Sequence, residues 1–185
     1  MQYQVYDAWS TIPPQVACAA EQILREAFPE SERRDMAEIR SCLDSASLQL
    51  LTASRQAQVL AVLLVWNLPD VVFLENFAVR ADCRGQGIGA DLLRQVAEIW
   101  KKPQVLEVEI PQTEYQRRRI AFYQRCGFFL NQTYPYRMPN LHGDGPAMPL
   151  HLMSRPHSLT DDQAAQMERI LWEQAYFGKK LPENI

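Results

Sequence analysis

The chain has 185 residues, of which 47% are hydrophobic and 22% are charged, and its formal net charge is −3 at pH 7. This length and composition favour one soluble domain with a sizeable core. The charge excludes an overall basic surface for nucleic acid, and the longest apolar run, 59–66, is too short to cross a bilayer.

Strand and helix patterns alternate in the first part of the chain. They predict a strand at 4–9, a helix from Pro13 to Pro29, a more charged helix at 31–43, and a hairpin of strands at 48–53 and 59–68. The second hairpin strand is almost continuously apolar. We therefore expect it at the centre of a sheet.

Three glycines at alternate positions follow the next strand, 71–79. Gly85, Gly87 and Gly89 lie just before a helix whose apolar face is formed by Ile88, Leu92, Leu93, Val96 and Ile99. Glycine tolerates positive φ and lets a ligand approach the backbone closely. Unpaired N–H groups and the positive end of a helix dipole also meet at this turn. The pattern predicts an anion site, best suited to phosphate.

Three phosphate-binding motifs compete at this turn. A Walker loop would need Gly-Lys-Ser/Thr, and the turn has Gly-Ala-Asp instead. A dinucleotide fingerprint fits Gly85, Gly87 and Ala90 loosely, but the polar segment 80–84 separates the strand from the first glycine. The third motif is R-x-x-G-x-G, filled by Arg84, Gly87 and Gly89.

The second half of the chain continues the alternation of strands and helices. The patterns predict a strand at 105–110, a helix from the capping box at Thr113 to Cys126, a strand from Phe128, a proline-rich loop at 135–149, a strand at 148–154, and a helix from the capping box at Thr160 to about Gly178. The terminal helix carries a wide apolar stripe that includes Ile170, Trp172, Tyr176 and Phe177, and lysines follow it at 179 and 180. We expect it to dock on its own domain or to form a dimer contact.

The strand 73–79 followed by R-x-x-G-x-G resembles the acyl-CoA loop of the GNAT superfamily of N-acetyltransferases. A second motif, Tyr123-Gln124-Arg125-Cys126-Gly127-Phe128, is similar to the end of a helix in that family. The order of elements over about 4–154 also matches. The resemblance implies a mixed α/β fold with a single, mostly antiparallel central sheet flanked by helices, here with an extra C-terminal helix. We expect the acetyltransferase domain at 1–155 and the helical extension at 156–185.

The resemblance also implies acetyl-CoA as cosubstrate and a primary amine, of a small molecule or a peptide, as acceptor. Main-chain groups of Phe77, Ala78 and Val79 would contact the pantetheine arm. The pyrophosphate would be held at Arg84, Gly85, Gln86, Gly87, Ile88, Gly89 and Ala90.

Acetyl transfer to an amine needs a base for the amine and a proton for the leaving thiolate. Glu75 is a carboxylate inside an otherwise apolar strand, and we interpret it as the general base, with a salt bridge to an arginine as the alternative. Glu107 and Glu109 are further candidates on the next strand. Tyr123 is interpreted as the general acid for the CoA sulfur, with core packing as the alternative.

The remaining polar residues give weaker indications of function than Glu75 and Tyr123 do. His142, His151 and His157 lack metal-ligand spacing, so we expect no metal. Arg117, Arg118 and Arg119 suit either a CoA phosphate or a solvated helix face. The aromatic loop at 134–137 suits a substrate wall or a dimer contact. Four scattered cysteines and a start without basic and apolar leader regions favour a cytoplasmic protein with reduced thiols, without nucleic acid or membrane partners.

Overall fold

The structure, a computed structural model, describes residues 1–45, 47–143 and 145–176. The chain divides into two compact units, Met1–Lys102 and Pro103–Ile185. The predicted mixed α/β fold with mostly antiparallel strands is confirmed. The division of the chain at Arg155 stays a prediction.

Among its described residues, the first unit contains four antiparallel strands and three α-helices. Its elements are β1 (Gln2–Tyr6), α1 (Pro14–Ala27), α2 (Met36–Ser45), β2 (Leu48–Arg55), β3 (Gln58–Asn67), β4 (Val72–Val79) and α3 (Ile88–Trp100). The strands pair in the order β1-β2-β3-β4. Every residue of β3 from Val59 to Trp66 is buried, which confirms its predicted central position. Gln56 and Ala57, both at positive φ, form the two-residue turn of the β2–β3 hairpin.

Two elements of this unit begin at other residues than predicted. The first strand lies at Gln2–Tyr6, and a 3₁₀ turn follows at Trp9–Thr11, where the backbone N–H of Trp9 donates to Asp44 Oδ1 at 2.7 Å. The second helix begins at Met36, after a 3₁₀ turn at Glu30–Glu32. Arg33 and Arg34, which lie between this 3₁₀ turn and the helix, are buried, so tertiary contacts override the helical periodicity there.

A β-bulge interrupts the pairing of β3 with β4. Leu63 pairs with Phe77 and Val65 pairs with Leu74, so two steps along β3 match three steps along β4. The extra length of β4 falls at Glu75 and Asn76. A bulge leaves a residue unpaired and redirects side chains, and it is over-represented next to active sites.

Over residues 103–143 and 145–176, the second unit contains four strands and two α-helices. Its elements are β5 (Gln104–Glu109), α4 (Glu114–Arg125), β6 (Phe129–Asn131), β7 (Arg137–Met138), β8 (Met148–Arg155) and α5 (Asp161–Gln174). The strand β8 pairs antiparallel with β5, β6 and β7. Both predicted capping boxes are present, with Thr113 and Gln116 at α4 and with Thr160 and Gln163 at α5.

Some details of the helices differ from the sequence analysis. The last helix ends at Gln174, and residues 177–185, which include Phe177, Gly178 and the two lysines, lie outside the described residues. Four of the five predicted apolar residues of α3 are buried, whereas Ile99 in its last turn is exposed. Across the described ranges, no helix has the length and apolar character needed to cross a membrane.

Candidate functional site

The glycine-rich turn joins β4 to α3 through a short 3₁₀ segment at Ala81–Cys83. Gly85 and Gly87 adopt φ values of 76° and 80°, which an L side chain rarely adopts. A Cβ atom built on either glycine would meet nothing within 4 Å. The backbone at this turn is therefore open to a close ligand.

The backbone N–H groups at the start of α3 are arranged for an anion. Gly87 is the N-cap residue, and the first helical hydrogen bond runs from Asp91 N to Gly87 O at 3.0 Å. The N–H groups of Ile88, Gly89 and Ala90 therefore precede the hydrogen-bonded ladder of the helix. The positive end of the α3 dipole lies at the same place. The turn has the chemistry of a phosphate site.

Polar side chains of the turn brace its own backbone. Arg84 Nε donates to Val79 O at 3.1 Å, and Gln86 Nε2 donates to Asp82 O at 3.4 Å. On the same segment, Arg80 Nε donates to Asp82 Oδ1 at 2.7 Å. This hydrogen bond is the main cause of the lowered pKa of the Asp82 carboxyl. These contacts favour backbone amides over the Arg84 side chain as the groups that would contact phosphate.

The end of β4 lies between the bulge and the turn. Phe77, Ala78 and Val79 pair with Leu63, Val62 and Ala61 of β3. Ala78 is buried, and Phe77 and Val79 are half-buried. The strand therefore leads directly from Glu75 to the glycine-rich turn.

Glu75 is held in a buried ion pair. Arg34 Nε donates to Glu75 Oε1 at 2.9 Å, and the side chains of Arg34 and Glu75 are only 3% and 6% exposed. The indole Nε1 of Trp66 donates to Glu75 Oε2 at 2.8 Å. Arg34 also lies over the Trp66 ring, 5.1 Å from its centroid. Both carboxylate oxygens thus accept hydrogen bonds, and the arginine salt bridge considered as an alternative for Glu75 is present.

The ion pair is part of a larger polar cluster that extends to Glu38 on α2. Arg34 Nη1 donates to Glu38 Oε1 at 2.5 Å, and Glu38 is 41% exposed. Burial raises the pKa of the nearby Cys42 thiol, and Arg34 partly offsets that rise. Nothing in the local sequence pattern identified Arg34, Glu38 or Trp66, because each reads as an ordinary residue of its own helix or strand.

Tyr123 lies on α4 in the second unit and is buried. Its ring packs edge-on against Phe128, with 5.8 Å between centroids. Burial raises the pKa of Tyr123 above its usual value, and the neighbouring Arg119 guanidinium, which is hydrogen-bonded to the phenol, partly offsets that rise. Arg119 also binds Glu109 Oε2 at 3.1 Å. The phenol is therefore protonated at neutral pH and is oriented by a charged neighbour.

The carboxylates of Glu107 and Glu109 are both engaged within the second unit. The hydroxyl of Tyr136 donates to Glu107 Oε1, and Tyr176 Oη donates to Glu107 Oε2 at 2.8 Å. Burial, followed by the Glu107 charge, raises the pKa of Tyr136 well above its usual value. Glu109 accepts from Gln116 Nε2 at 3.3 Å as well as from Arg119. Both glutamates thus link β5 to neighbouring elements of their own unit.

The remaining predicted residues have surface or packing contacts. Arg117 and Arg118 both pair with the exposed Glu114, as a solvated helix face would. Burial lowers the pKa of His151, whose Nδ1 has no hydrogen-bond partner in the part of the chain that is described. No group of three or more His, Cys, Asp or Glu side chains able to hold a metal ion occurs among the described residues.

Comparison with known proteins now identifies the family. Residues 8–128 match the model of the Acetyltransferase (GNAT) family. The chain belongs to the GNAT family. Among curated proteins, no sequence matches this chain.

Solved structures share the fold. A GNAT-family acetyltransferase structure from Bacteroides thetaiotaomicron has a TM-score of 0.86 and 27% identity, covering 97% of this chain and all of the other. An aminoglycoside 6′-N-acetyltransferase complexed with coenzyme A has a TM-score of 0.60 and 16% identity, over 84% of this chain and 96% of the other. A GNAT acetyltransferase from Elizabethkingia anophelis with acetyl-CoA bound has a TM-score of 0.54 and 18% identity, over 82% of this chain and 96% of the other. The predicted family and fold are therefore confirmed, and relatives of this fold bind CoA or acetyl-CoA.

Proposed function

We propose that this protein is an N-acetyltransferase that transfers the acetyl group of acetyl-CoA to a primary amine by direct attack in a ternary complex. The observation that carries the proposal is the turn after β4. Two glycines at positive φ leave open space there, and three N–H groups precede the helical ladder of α3. That arrangement suits the CoA pyrophosphate at Gly85–Ala90.

The reaction forms a bond between the amine nitrogen and the thioester carbonyl carbon, and it breaks the carbon–sulfur bond. The nitrogen must lose a proton and the CoA thiolate must gain one. We propose that Glu75 receives the amine proton. Because both of its oxygens accept hydrogen bonds, the proton reaches Glu75 through water or after one donor is displaced. The bulge at Glu75 and Asn76 supports the proposal further. A bulge leaves one residue out of the strand pairing, and a main-chain group of that residue would be available to the thioester oxygen.

We propose that Tyr123 donates the proton to the leaving thiolate. Its buried phenol is protonated at neutral pH, so it can give a proton without bringing a charge into an apolar site. The acceptor amine belongs to a small molecule or a peptide. The proposal includes a cytoplasmic location, which the absence of any disulfide among the four cysteines supports.

Thermal melting with acetyl-CoA, NAD and ATP in separate wells tests the binding half of this proposal. A ligand at 100 times its dissociation constant adds about 2.7 kcal/mol to the free energy of unfolding. We expect acetyl-CoA to stabilise the protein and NAD to leave it unchanged. Stabilisation by NAD alone would overturn the proposal.

An assay with acetyl-CoA and a panel of primary amines tests turnover. The measured signal is the release of the CoA thiol. Thiol release that depends on the amine supports an acetyltransferase. The alternative is an acyl-CoA-binding sensor or interaction module without turnover. That function is favoured if acetyl-CoA binds tightly and no amine in the panel is acetylated.

A further inference from the structure

Arg119 joins a buried phenol to a carboxylate within the second unit. It lies four residues before Tyr123 on α4, so the two side chains share one face of the helix. Its guanidinium is hydrogen-bonded to the Tyr123 phenol, and its Nη1 lies 3.1 Å from Glu109 Oε2 on β5. A guanidinium has only donors, so the phenol oxygen accepts this bond, and the phenol proton is not used in it.

The capping box of α4 holds the carboxylate that binds this guanidinium. Gln116 Nε2 donates to the second carboxylate oxygen, Glu109 Oε1, at 3.3 Å. The Oε1 atom of Gln116 accepts from the backbone N–H groups of Gln112 and Thr113, both at 2.8 Å. A continuous chain of hydrogen bonds therefore runs from the start of α4 through the Glu109 carboxylate to the Arg119 guanidinium.

The charge of Arg119 acts on Tyr123 with limited screening by solvent. The side chains of Arg119 and Glu109 are 27% and 35% exposed, and Tyr123 is buried. Burial raises the pKa of Tyr123, and the Arg119 charge partly offsets that rise. Two other titratable neighbours, Cys126 and Tyr115, raise it further. Arg119 therefore favours loss of the phenol proton, and Glu109 is the anion that balances the Arg119 charge.

We propose that Arg119 and Glu109 are a positioning pair for proton donation by Tyr123, in which Arg119 stabilises the phenolate and Glu109 holds Arg119 and limits its charge. This inference rests on the proposed acetyl transfer. When the carbon–sulfur bond breaks, the sulfur takes the electron pair of that bond and receives the phenol proton. The phenolate is stabilised by the guanidinium until a proton from water restores the phenol. The amine proton taken up by Glu75 returns to water, so the two proton transfers balance.

Arg119→Met and Glu109→Gln test the pair, because both variants break the same ion pair and leave opposite charges behind. In Arg119→Met the phenolate loses its cation. The pKa of Tyr123 should rise and kcat should fall about tenfold, as expected for a lost hydrogen bond to a charged group. In Glu109→Gln the guanidinium loses its anion. The pKa of Tyr123 should then fall and kcat should rise about two- to threefold, because the proton affinity of the acid moves toward the working pH. The KM for acetyl-CoA should change in neither variant.

The pKa of Tyr123 can be measured by ¹⁹F NMR on protein labelled with 3-fluorotyrosine. The chain has seven tyrosines, and the signal of Tyr123 is the one that is absent from the spectrum of Tyr123→Phe. Fluorine makes each phenol more acidic, so the titration begins at a milder pH. Circular dichroism at each pH verifies that the protein is folded.

Arg119→Lys and Arg118→Met are the controls. Lysine keeps the positive charge, so Arg119→Lys should recover part of the kcat that Arg119→Met loses and should bring the pKa of Tyr123 back toward the wild-type value. Arg118→Met breaks the exposed ion pair of Arg118 with Glu114, one residue away along the same helix. It should change neither the pKa of Tyr123 nor kcat.

The two variants of the pair also define the results that would overturn the inference. A pKa of Tyr123 that does not move, or that moves in the same direction in both variants, overturns it. A fall of kcat in Glu109→Gln overturns it too, since the ion pair would then only hold β5 against α4, or Glu109 would itself be the base. A wild-type protein that acetylates no amine overturns the proposed function instead. The NMR titration needs no substrate, so it still decides whether the pair acts on the phenol.

Discussion

Arg34 Nε lies 2.9 Å from Glu75 Oε1, and this ion pair joins residues 41 positions apart in a nearly solvent-free place. Removing one partner of a buried pair leaves an uncompensated charge, which typically costs about 3–5 kcal/mol. The pair is therefore a structural element of the first unit as well as part of the candidate site. Experiments on Glu75 have to separate these two roles.

Glu75→Gln tests the general base. The amide keeps the shape of the side chain, and Arg34 keeps Glu38 as a partner, so the variant should remain folded. We expect kcat to fall about 10²–10⁴-fold at an unchanged affinity for acetyl-CoA. Glu38→Gln controls for loss of charge in the same cluster and should retain kcat. A Glu75→Gln variant that turns over like the wild type would mean that the amine arrives already deprotonated.

Gly87→Val tests the phosphate turn. The positive φ of Gly87 disfavours any side chain, and a β-branched one would also fill the open space in front of the turn. Acetyl-CoA affinity, measured by calorimetric titration, should fall at least about tenfold, since a group that blocks close approach of the pyrophosphate removes several hydrogen bonds.

Gly127→Val is the matched control for this strain. Gly127 has φ 86° and open space beside it, but it lies at the end of α4. Both variants should lose thermal stability, and only Gly87→Val should lose acetyl-CoA affinity. Equal affinities in the two variants would remove the turn from the site.

Tyr123→Phe tests the general acid. We expect acetyl-CoA binding to be nearly intact and kcat to fall about 10²–10⁴-fold, because the leaving thiolate loses its proton donor. Tyr115→Phe is the control on the same helix, since Tyr115 is exposed. A Tyr123→Phe variant with wild-type kcat would leave Tyr123 as a packing residue.

The raised pKa of Tyr123 also predicts a dependence of stability on pH. The folded state binds the phenol proton more tightly than the unfolded chain does, whose tyrosine pKa is about 10. This contribution to the free energy of unfolding is complete at neutral pH. It is lost as the pH rises from about 10 through the higher pKa of the folded state. Denaturant titrations at pH 7 and pH 10.5 should therefore differ less in Tyr123→Phe than in the wild type.

Truncation after Arg155 tests the role of α5. Trp172 Nε1 donates to Arg137 O at 2.9 Å, and Glu168 Oε1 accepts from the backbone N–H of Arg137 at the same distance. Because these bonds hold α5 on its own unit, we expect a lower melting temperature at an unchanged molecular mass. A loss of dimer on sizing would instead identify α5 as a subunit interface.

A point variant measures how much the docking of α5 contributes to the free energy of unfolding. Trp172→Ala should lower the free energy of unfolding by about 3–5 kcal/mol, because it removes a buried ring. Glu173→Ala, at the exposed neighbouring position, should change it by less than about 0.5 kcal/mol. Equal stabilities of the two variants would mean that the apolar stripe of α5 contributes little.

The sequence alone determined the elements whose signals are local. The capping boxes at Thr113 and Thr160 were found because both partners lie within one turn of helix. The glycine-rich turn is predicted from the sequence because a strand, a short polar segment, closely spaced glycines and a helix start follow one another within one stretch of the chain. The same local order carried the resemblance to the GNAT family.

Only the tertiary structure decided which side chains meet. Arg34 reads as a surface residue of a charged helix, yet it is buried against Glu75 and Trp66. Glu107 reads as the outer face of a half-exposed strand, yet its carboxylate binds Tyr176, 69 positions away. The bulge that turns Asn76 toward the segment of Arg34 depends on the register between β3 and β4. Contacts of this kind depend on how distant segments are packed, and a single sequence carries no periodicity that specifies them.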